Sequence, residues 1–298
     1  MTLSPRQLLL LVLLTLSWGL NWPVMKLGVT HLPALTFRAL SMWLGLPVLY
    51  AAVRWLGADL TLRRADWPEF AKLTLNNMLI WHVVAILAVQ SLSSGRAAIL
   101  GYTMPIFSAL WGRALFGERL AARQLVGVLA ATVGVALLLW HELGPMAGRP
   151  WGVAGMLFAA CTWALGTQQL RRTHIAASMA AITWWMTVAT TLVMTVLATA
   201  LEHERWHLPN APAWFAIGYN AVLVFGFAQP VWLVLARALP PAASTLSVMM
   251  IPVLGAVSGA LALDETLHWQ DGAAVVLMGV AIGSVLWPRG AATRPASA

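Results

Sequence analysis

Charge is scarce in this chain. Its 298 residues hold 18 Lys+Arg and 10 Asp+Glu, 9% in all, against about 25% in a soluble domain. Hydrophobic residues make up 60%, and the mean hydropathy is +0.78. No soluble core hides that much apolar surface, so an ordinary cytosolic enzyme and a disordered tail are excluded. Cysteine is nearly absent. The lone Cys161 forbids an internal disulfide and excludes a disulfide scaffold. A Gly-rich nucleotide loop is missing as well, which argues against direct use of ATP. Strict alternation of apolar and polar residues is lacking, and its absence argues against a membrane β-barrel.

What is present is a series of long apolar runs. Ten helices are predicted, at 7–29, 33–56, 67–90, 94–116, 121–141, 151–171, 175–201, 211–236, 241–263 and 268–287. Each is near the ~20 residues needed to cross a bilayer. The fold class is therefore all-α integral membrane protein with ten transmembrane helices. Asp66-Trp67-Pro68-Glu69 and Asn210-Ala211-Pro212 read as helix starts, with a capping side chain and a Pro in the first turn. Arg6 followed by Leu8 to Leu16 resembles a signal peptide, but no small-x-small site follows and the apolar run continues, so a retained first helix is expected.

The net charge of +8 is spread over helix ends rather than gathered on one face, so no nucleic-acid partner is expected. With the N-terminus in the cytoplasm, 13 cations fall inside: Arg6, Arg54, Arg63, Arg64, Lys72, Arg113, Arg119, Arg123, Arg171, Arg172, Arg237, Arg289 and Arg294. Five fall outside, at Lys26, Arg38, Arg96, Arg149 and Arg205. The asymmetry predicts both termini inside, in a bacterial cytoplasmic (inner) membrane.

The chain repeats itself. At an offset of 147, Pro105, Ala109, Gly112, Glu118, Leu120, Val128, Val133, Leu139 and Trp140 match Pro252, Ala256, Gly259, Glu265, Leu267, Val275, Val280, Leu286 and Trp287, 9 identities in 47. Earlier, Trp18-x-Leu20 matches Trp163-x-Leu165 at an offset of 145. Two units follow, 1–145 and 146–298. Each has five spans, an odd number, so the second enters the membrane from the opposite side. Inverted repeats are a recurrent design of secondary transporters.

The pattern Gly95-Arg96-Ala97-Ala98…Tyr102-Thr103-Met104-Pro105, then Gly117-Glu118-Arg119-Leu120 and Gly127…Gly134-Val135, resembles the EamA half-repeat. Ala243-Ser244…Pro252…Asp264-Glu265-Thr266-Leu267…Gly279-Val280 resembles it again, as do Trp18-Gly19-x-Asn21-Trp22 and Phe37-Arg38. The resemblance spans essentially the whole chain and points to the drug/metabolite transporter superfamily. It implies a ten-helix carrier with a central cavity, exporting amino acids or other small metabolites, with no cofactor. Position 166 departs from the pattern, with Gly where the first half has Asn21.

Seventeen Trp are present. Trp55, Trp67, Trp140, Trp151, Trp206, Trp214, Trp269 and Trp287 fall at predicted interfaces and read as a belt. Trp18, Trp43, Trp81, Trp163, Trp184 and Trp185 fall near the midplane, where cavity lining and helix packing compete as explanations. Asn21, Asn76, Asn77, His82, Tyr102, Gln168, Gln169, Tyr219, Asn220 and Gln229 lie inside apolar runs, where a polar group needs a partner or a cavity. His82 is the one midplane group that titrates near neutral pH. Arg38, one turn inside the second span, either snorkels outward or holds a substrate carboxylate. No Asp or Glu lies deeper than the first or last turn of a span, which disfavours a carboxylate-driven pump and favours neutral or zwitterionic solutes.

The candidate substrate-binding set is thus Trp18, Asn21, Arg38, Asn77, Trp81, His82, Tyr102, Trp163, Gln168, Trp185, Tyr219 and Asn220. Pro105 and Pro252 are expected as paired kinks beside the cavity. Glu118 and Glu265 are expected as gating or structural groups at equivalent helix ends, the structural role preferred because exposed ion pairs are weak. Gly255-x-x-x-Gly259 and Gly279-x-x-x-Gly283 read as close-packing signatures. The partners expected are a small-molecule substrate and membrane lipid, with homo-oligomerisation left open. Two other classes stay in view. His203-Glu204-Arg205-Trp206-His207 is a literal H-E-x-x-H, the zinc signature of metalloproteases, although Pro209 and Pro212 follow at once. A non-transporting structural membrane partner is the third.

Overall fold

The computed structural model describes residues 4–118, 122–142, 150–232 and 241–286, without the side chains of 139, 141, 142, 241–249, 285 and 286. Arg119, Leu120, Arg149, Arg237, Trp287, Arg289, Arg294 and the expected boundary between the two units therefore lie outside the described residues, as do the side chains of Ala243 and Ser244.

The described residues are all-helical, without strands. Ten helical stretches run through them: α1 (Pro5–His31), α2 (Ala34–Trp55), α3 (Arg64–Ser91), α4 (94–116), α5 (Ala122–Glu142), α6 (Pro150–Leu170), α7 (Met179–Arg205), α8 (Ala211–Trp232), α9 (Pro241–Leu263) and α10 (Trp269–Leu286). Among the described residues, α1, α2, α3, α7 and α8 are long and apolar enough to cross a membrane.

Local chemistry sets the helix ends. Ser4 and Gln7 form a reciprocal capping box with Pro5 in the first turn, which satisfies two orphan N–H groups. Ser93, Ser178 and Asn210 cap α4, α7 and α8 through their side-chain oxygens. Asp66 does not cap. A 3-10 turn over Arg64–Asp66 puts it in helical geometry, and its carboxylate makes no cap bond. Gly117, at φ 66, ends α4, and the Glu118 N–H returns to the Gly112 carbonyl at 3.0 Å, a left-handed cap. Asp264, at φ 53, ends α9 in the same conformation and is the one non-Gly residue with positive φ among the described residues.

Three helices are irregular. α1 breaks at Leu20, between Gly19 and Asn21, because Pro23 has no N–H to return to the Gly19 carbonyl. α3 widens into π-helical turns at Leu75–Leu79 and Trp81–Ala85, and α8 does so at Asn220–Ala228. Leu75 and Asn220 are 145 residues apart, the offset that relates Trp18 to Trp163.

The helices pack as a bundle. α5 lies on α10, α2 on both α7 and α8, and α9 on α1 and the first piece of α4. α6 packs on α3 and α4. Polar contacts sort the helix ends into two groups. At one end, Glu202 accepts from the N–H groups of Leu35 and Thr36 and from the Thr36 hydroxyl, at 2.8–3.2 Å. There too Glu265 accepts from the Ser94 N–H and hydroxyl at 2.6–3.0 Å, and Arg96 pairs with Asp271 at 2.8 Å. At the other end, Glu69 accepts from Thr173 and His174, and Glu118 pairs with Arg172.

Candidate functional site

Past its break at Leu20, α1 buries Asn21, Trp22 and Met25, at spacings of three and four that share one face. From the neighbouring start of α2, Arg38 turns inward rather than snorkelling to the surface. It is 4% exposed, donates to Asn220 Oδ1 at 3.1 Å and meets Met25 Sδ at 2.7 Å. Asn220 is fully buried and spends its Nδ2 on the Ala216 carbonyl. From α3, His82 enters the same region. It is 9% exposed, and its ring lies 5.8 Å from Phe225, a residue of the π-helical turn that Asn220 opens. Phe225 is seated by Gly45, where a Cβ would approach Phe225 Cβ to 2.8 Å.

Three buried polar atoms here have no partner: Arg38 Nε, His82 Nδ1 and Asn21 Oδ1. Natural proteins pair most buried polar atoms, so each of these three, on α1, α2 and α3, has room for one further bond; Asp66 Oδ2, Thr190 Oγ1 and Gln270 Oε1 are unpartnered as well. Two residues here fall in π-helical turns: Asn220 opens the one in α8 and His82 lies in the one in α3. Such turns are frequent at functional sites because they re-aim side chains out of helical register.

An aromatic group adjoins this pocket. Trp81 sits edge-to-face with Trp22 at 6.5 Å and with Trp163 at 5.4 Å, and Tyr102 lies 6.4 Å from Trp22. Trp22 follows Asn21 in the chain and Trp81 precedes His82, so two helices carry an aromatic ring beside a polar member of the pocket.

The remaining candidates sort by what they touch. Trp18 packs on Trp232 at 5.6 Å. Asn77 donates to the Trp163 carbonyl and Thr167, and Gln168 to the Ser108 carbonyl and hydroxyl, so both tie α6 to its neighbours. Asn76 donates to Gln169. Trp185 is 39% exposed and donates to the Leu60 carbonyl, at the helix boundary and apart from the pocket. Trp43 is likewise outward, on Thr195. Tyr219 donates to the Ser17 carbonyl and lines a groove of about 300 Å³ between α1 and α8 with Leu13, Leu16, Ser17, Leu20, Leu223 and Phe227. Pro105 follows a break at Tyr102–Thr103, in the first turn of the helix after it, whereas Pro252 sits within a helix that runs on.

Glu118 and Glu265 fold back over Gly112 and Gly259, glycines of their own helices where any Cβ would strike the carboxylate. Glu265 then holds the start of α4, and Glu118 meets Arg172. Gly255 and Gly259 of α9 face Ala98 and Ser94 of α4, the close approach their spacing predicts.

Sequence reasoning passed over Met25, Phe225 and Trp22 as site residues. Their apolar types gave no polarity signal, though Trp22 stands inside the quoted Trp-Gly-x-Asn-Trp motif.

The zinc signature fails on geometry. His203–Arg205 is one 3-10 turn and Trp206 is extended, so His203 and His207 do not share a helical face as zinc ligation by that motif requires.

An EamA-like transporter family model matches residues 6–140 and again 150–287. The chain belongs to the EamA-like transporter family. The uncharacterized transporter YoaV of Bacillus subtilis is 24% identical, over 94% of this chain and 97% of that protein. The uncharacterized inner membrane transporter YedA of Escherichia coli is 28% identical, over 92% and 90%. A probable amino-acid metabolite efflux pump of Escherichia coli is 24% identical, over 94% and 95%. One crystal structure shares the fold, with a TM-score of 0.66 at 20% identity, covering 92% of this chain and 95% of that one. This EamA protein is accordingly a multi-pass membrane protein of a family of transporters rather than enzymes.

Proposed function

We propose that the protein is a secondary carrier of the bacterial inner membrane that exports small metabolites, neutral amino acids among them, by alternating access. The observation that carries this reading is the set of buried polar residues Arg38, His82, Asn220 and Asn21, three of them with an unpartnered atom, whose chain neighbours Trp22 and Trp81 join Trp163 in an aromatic group. Arg38 would take the substrate carboxylate and the rings its apolar part. The names of the relatives support the class: one is an inner membrane transporter and another a probable amino-acid metabolite efflux pump.

Ten spans in two inverted halves, 1–145 and 146–298, are part of the same proposal. Several paired features support it. Left-handed caps fall at Gly117 and Asp264, and glutamates fold over Gly112 and Gly259. The π-helical turns of α3 and α8 stand at equivalent places. Packing is reciprocal: α1 on α9 mirrors α6 on α4, and α2 on α8 mirrors α7 on α3. Two similar halves give two states of similar energy, one open to each side. The excess of cations at the end carrying Glu69 and Glu118 supports a cytoplasmic position for that end and for both termini.

Counterflow of radiolabelled amino acids and related metabolites in proteoliposomes tests the reading. Saturable flux, lost in Arg38→Gln, is expected. Flux no greater than in protein-free liposomes across the whole panel would sink it.

A further inference from the structure

The pocket is electrically incomplete. Arg38 lies in a membrane-spanning helix at 4% exposure, and the groups it meets, Asn220 Oδ1, Met25 Sδ and the Phe37 ring at 5.9 Å, are all uncharged. Among the described residues no acidic side chain reaches it. Glu202, bound at the start of the same helix, is spent on Leu35 and Thr36. Asp271 is held by Arg96, Glu265 by Ser94, Glu118 by Arg172 and Glu69 by Thr173. Asp59, Asp66, Glu204 and Asp264 lie in loops or at helix ends. A buried guanidinium is costly without a counter-charge. Its Nε has no partner and points to where the missing anion belongs. The other groups facing the site, Asn21, Asn220, His82 and the aromatic rings, carry no negative charge to meet an ammonium.

We propose that this pocket selects monoanionic carboxylates bearing an apolar or aromatic arm, and prefers them to zwitterions of the same carbon skeleton. The proposal rests on the reading of this pocket as the substrate site. The carboxylate closes on Arg38, neutralising the site, and the unpartnered His82 Nδ1 is the second group offered to it. Asn21, one turn from Met25 on the same face, offers an uncharged amide suited to a neutral donor such as a hydroxyl. The arm lies against Trp22 and Trp81, the immediate chain neighbours of Asn21 and His82. An α-ammonium would bring a second positive charge into a site with no acid to receive it.

The test uses the full chain in detergent. Trp fluorescence is followed on titration with 3-phenyllactate, 3-phenylpropionate, phenylalanine and phenethylamine, and flux of the same compounds is measured in proteoliposomes. Both carboxylate monoanions are expected to bind at least about tenfold more tightly than phenylalanine, and phenethylamine not at all. Asn220→Asp, which builds the counter-charge into the protein, is expected to raise the melting temperature and abolish carboxylate binding. Arg38→Met is expected to abolish it without lowering the melting temperature. Phenylalanine binding as tightly as 3-phenyllactate overturns the selectivity while leaving a transporter in place. A loss of melting temperature in both variants also overturns it, because Arg38 would then already be compensated. No flux of any compound, with unchanged binding in Arg38→Met, removes the site reading itself and this inference with it.

Discussion

The ion pair between Arg96 and Asp271 joins α4 to α10, and so ties the two family-matched segments together at one end of the bundle. Its side chains are 9% and 6% exposed, and the bond from Arg96 Nε to Asp271 Oδ1 is 2.8 Å. Asp271 Oδ2 also accepts from the His268 N–H at 2.9 Å, in the first turn of α10. Removing one partner of such a pair strands the other charge, at a cost of about 3–5 kcal/mol. Asp271→Asn leaves Arg96 without its anion, and the retained amide oxygen can serve only one of two donors, so its cost belongs in that range. Arg96→Met leaves Asp271 facing a helix N-terminus, whose partial charge favours a carboxylate by roughly 0.3–1 kcal/mol, so its cost is smaller. The double variant strands no charge and is expected to be more stable than Asp271→Asn alone. Equilibrium unfolding of the four proteins in mixed micelles, titrated with dodecyl sulfate, gives the double-mutant cycle. A coupling energy of about 2 kcal/mol or more is expected. Additivity within ~0.5 kcal/mol, the behaviour of independent sites, would refute the reasoning, because the pair would then be a solvated contact.

Four further outcomes are expected. Asp264→Gly relieves a left-handed backbone position at φ 53 and should stabilise the protein by about 1 kcal/mol, read from the same titration. Glu202→Gln should cost about 1.5–3 kcal/mol, because a 2%-exposed carboxylate holds the start of α2 through charge-assisted bonds. Glu118→Gln should cost less than about 1 kcal/mol, because its pair with Arg172 is partly exposed and such ion pairs are weak. The Thr61 hydroxyl, then its N–H, hold the Asp59 carboxyl below its ordinary range. That contribution is present above the ordinary carboxylate range and lost as pH falls through the lowered value, and Thr61→Ala should move the titration, followed by carboxylate infrared bands, back up.

Much of the scaffold was legible because hydrophobic length is a strong signal. The predicted helix at 94–116 and the start of the one at 211 match the structure, as does capping by Asn210. Asp66 misled because the rule for a capping carboxylate assumes extended backbone, and a 3-10 turn took that residue instead. Trp185 and Trp43 misled because depth along a helix says nothing about which side of the bundle a ring faces. Arg38, His82, Asn21 and Asn220 stood out as polar groups inside apolar runs; all four are buried, and Arg38 meets Asn220 directly. Asn77 and Gln168 gave the same signal yet serve as ties between helices, since an interhelical hydrogen bond and a ligand site look alike in sequence. The π-helical turns of α3 and α8 were invisible, because no residue pattern in LNNML or NAVLVFGFA separates a wide turn from an ordinary one.

Accessibility of the pocket from each side of the membrane is the most direct test of carriage through it. Cys161→Ser removes the native thiol, and Asn21→Cys then places one in the pocket. Labelling with a membrane-impermeant thiol reagent, added to either face of sealed vesicles of known orientation, reports which side reaches it. Alternating access predicts labelling from both faces, slowed by a transported substrate. Labelling from neither face, or from one face alone with no effect of substrate, would contradict a carrier whose pathway runs through Arg38, His82 and Asn220.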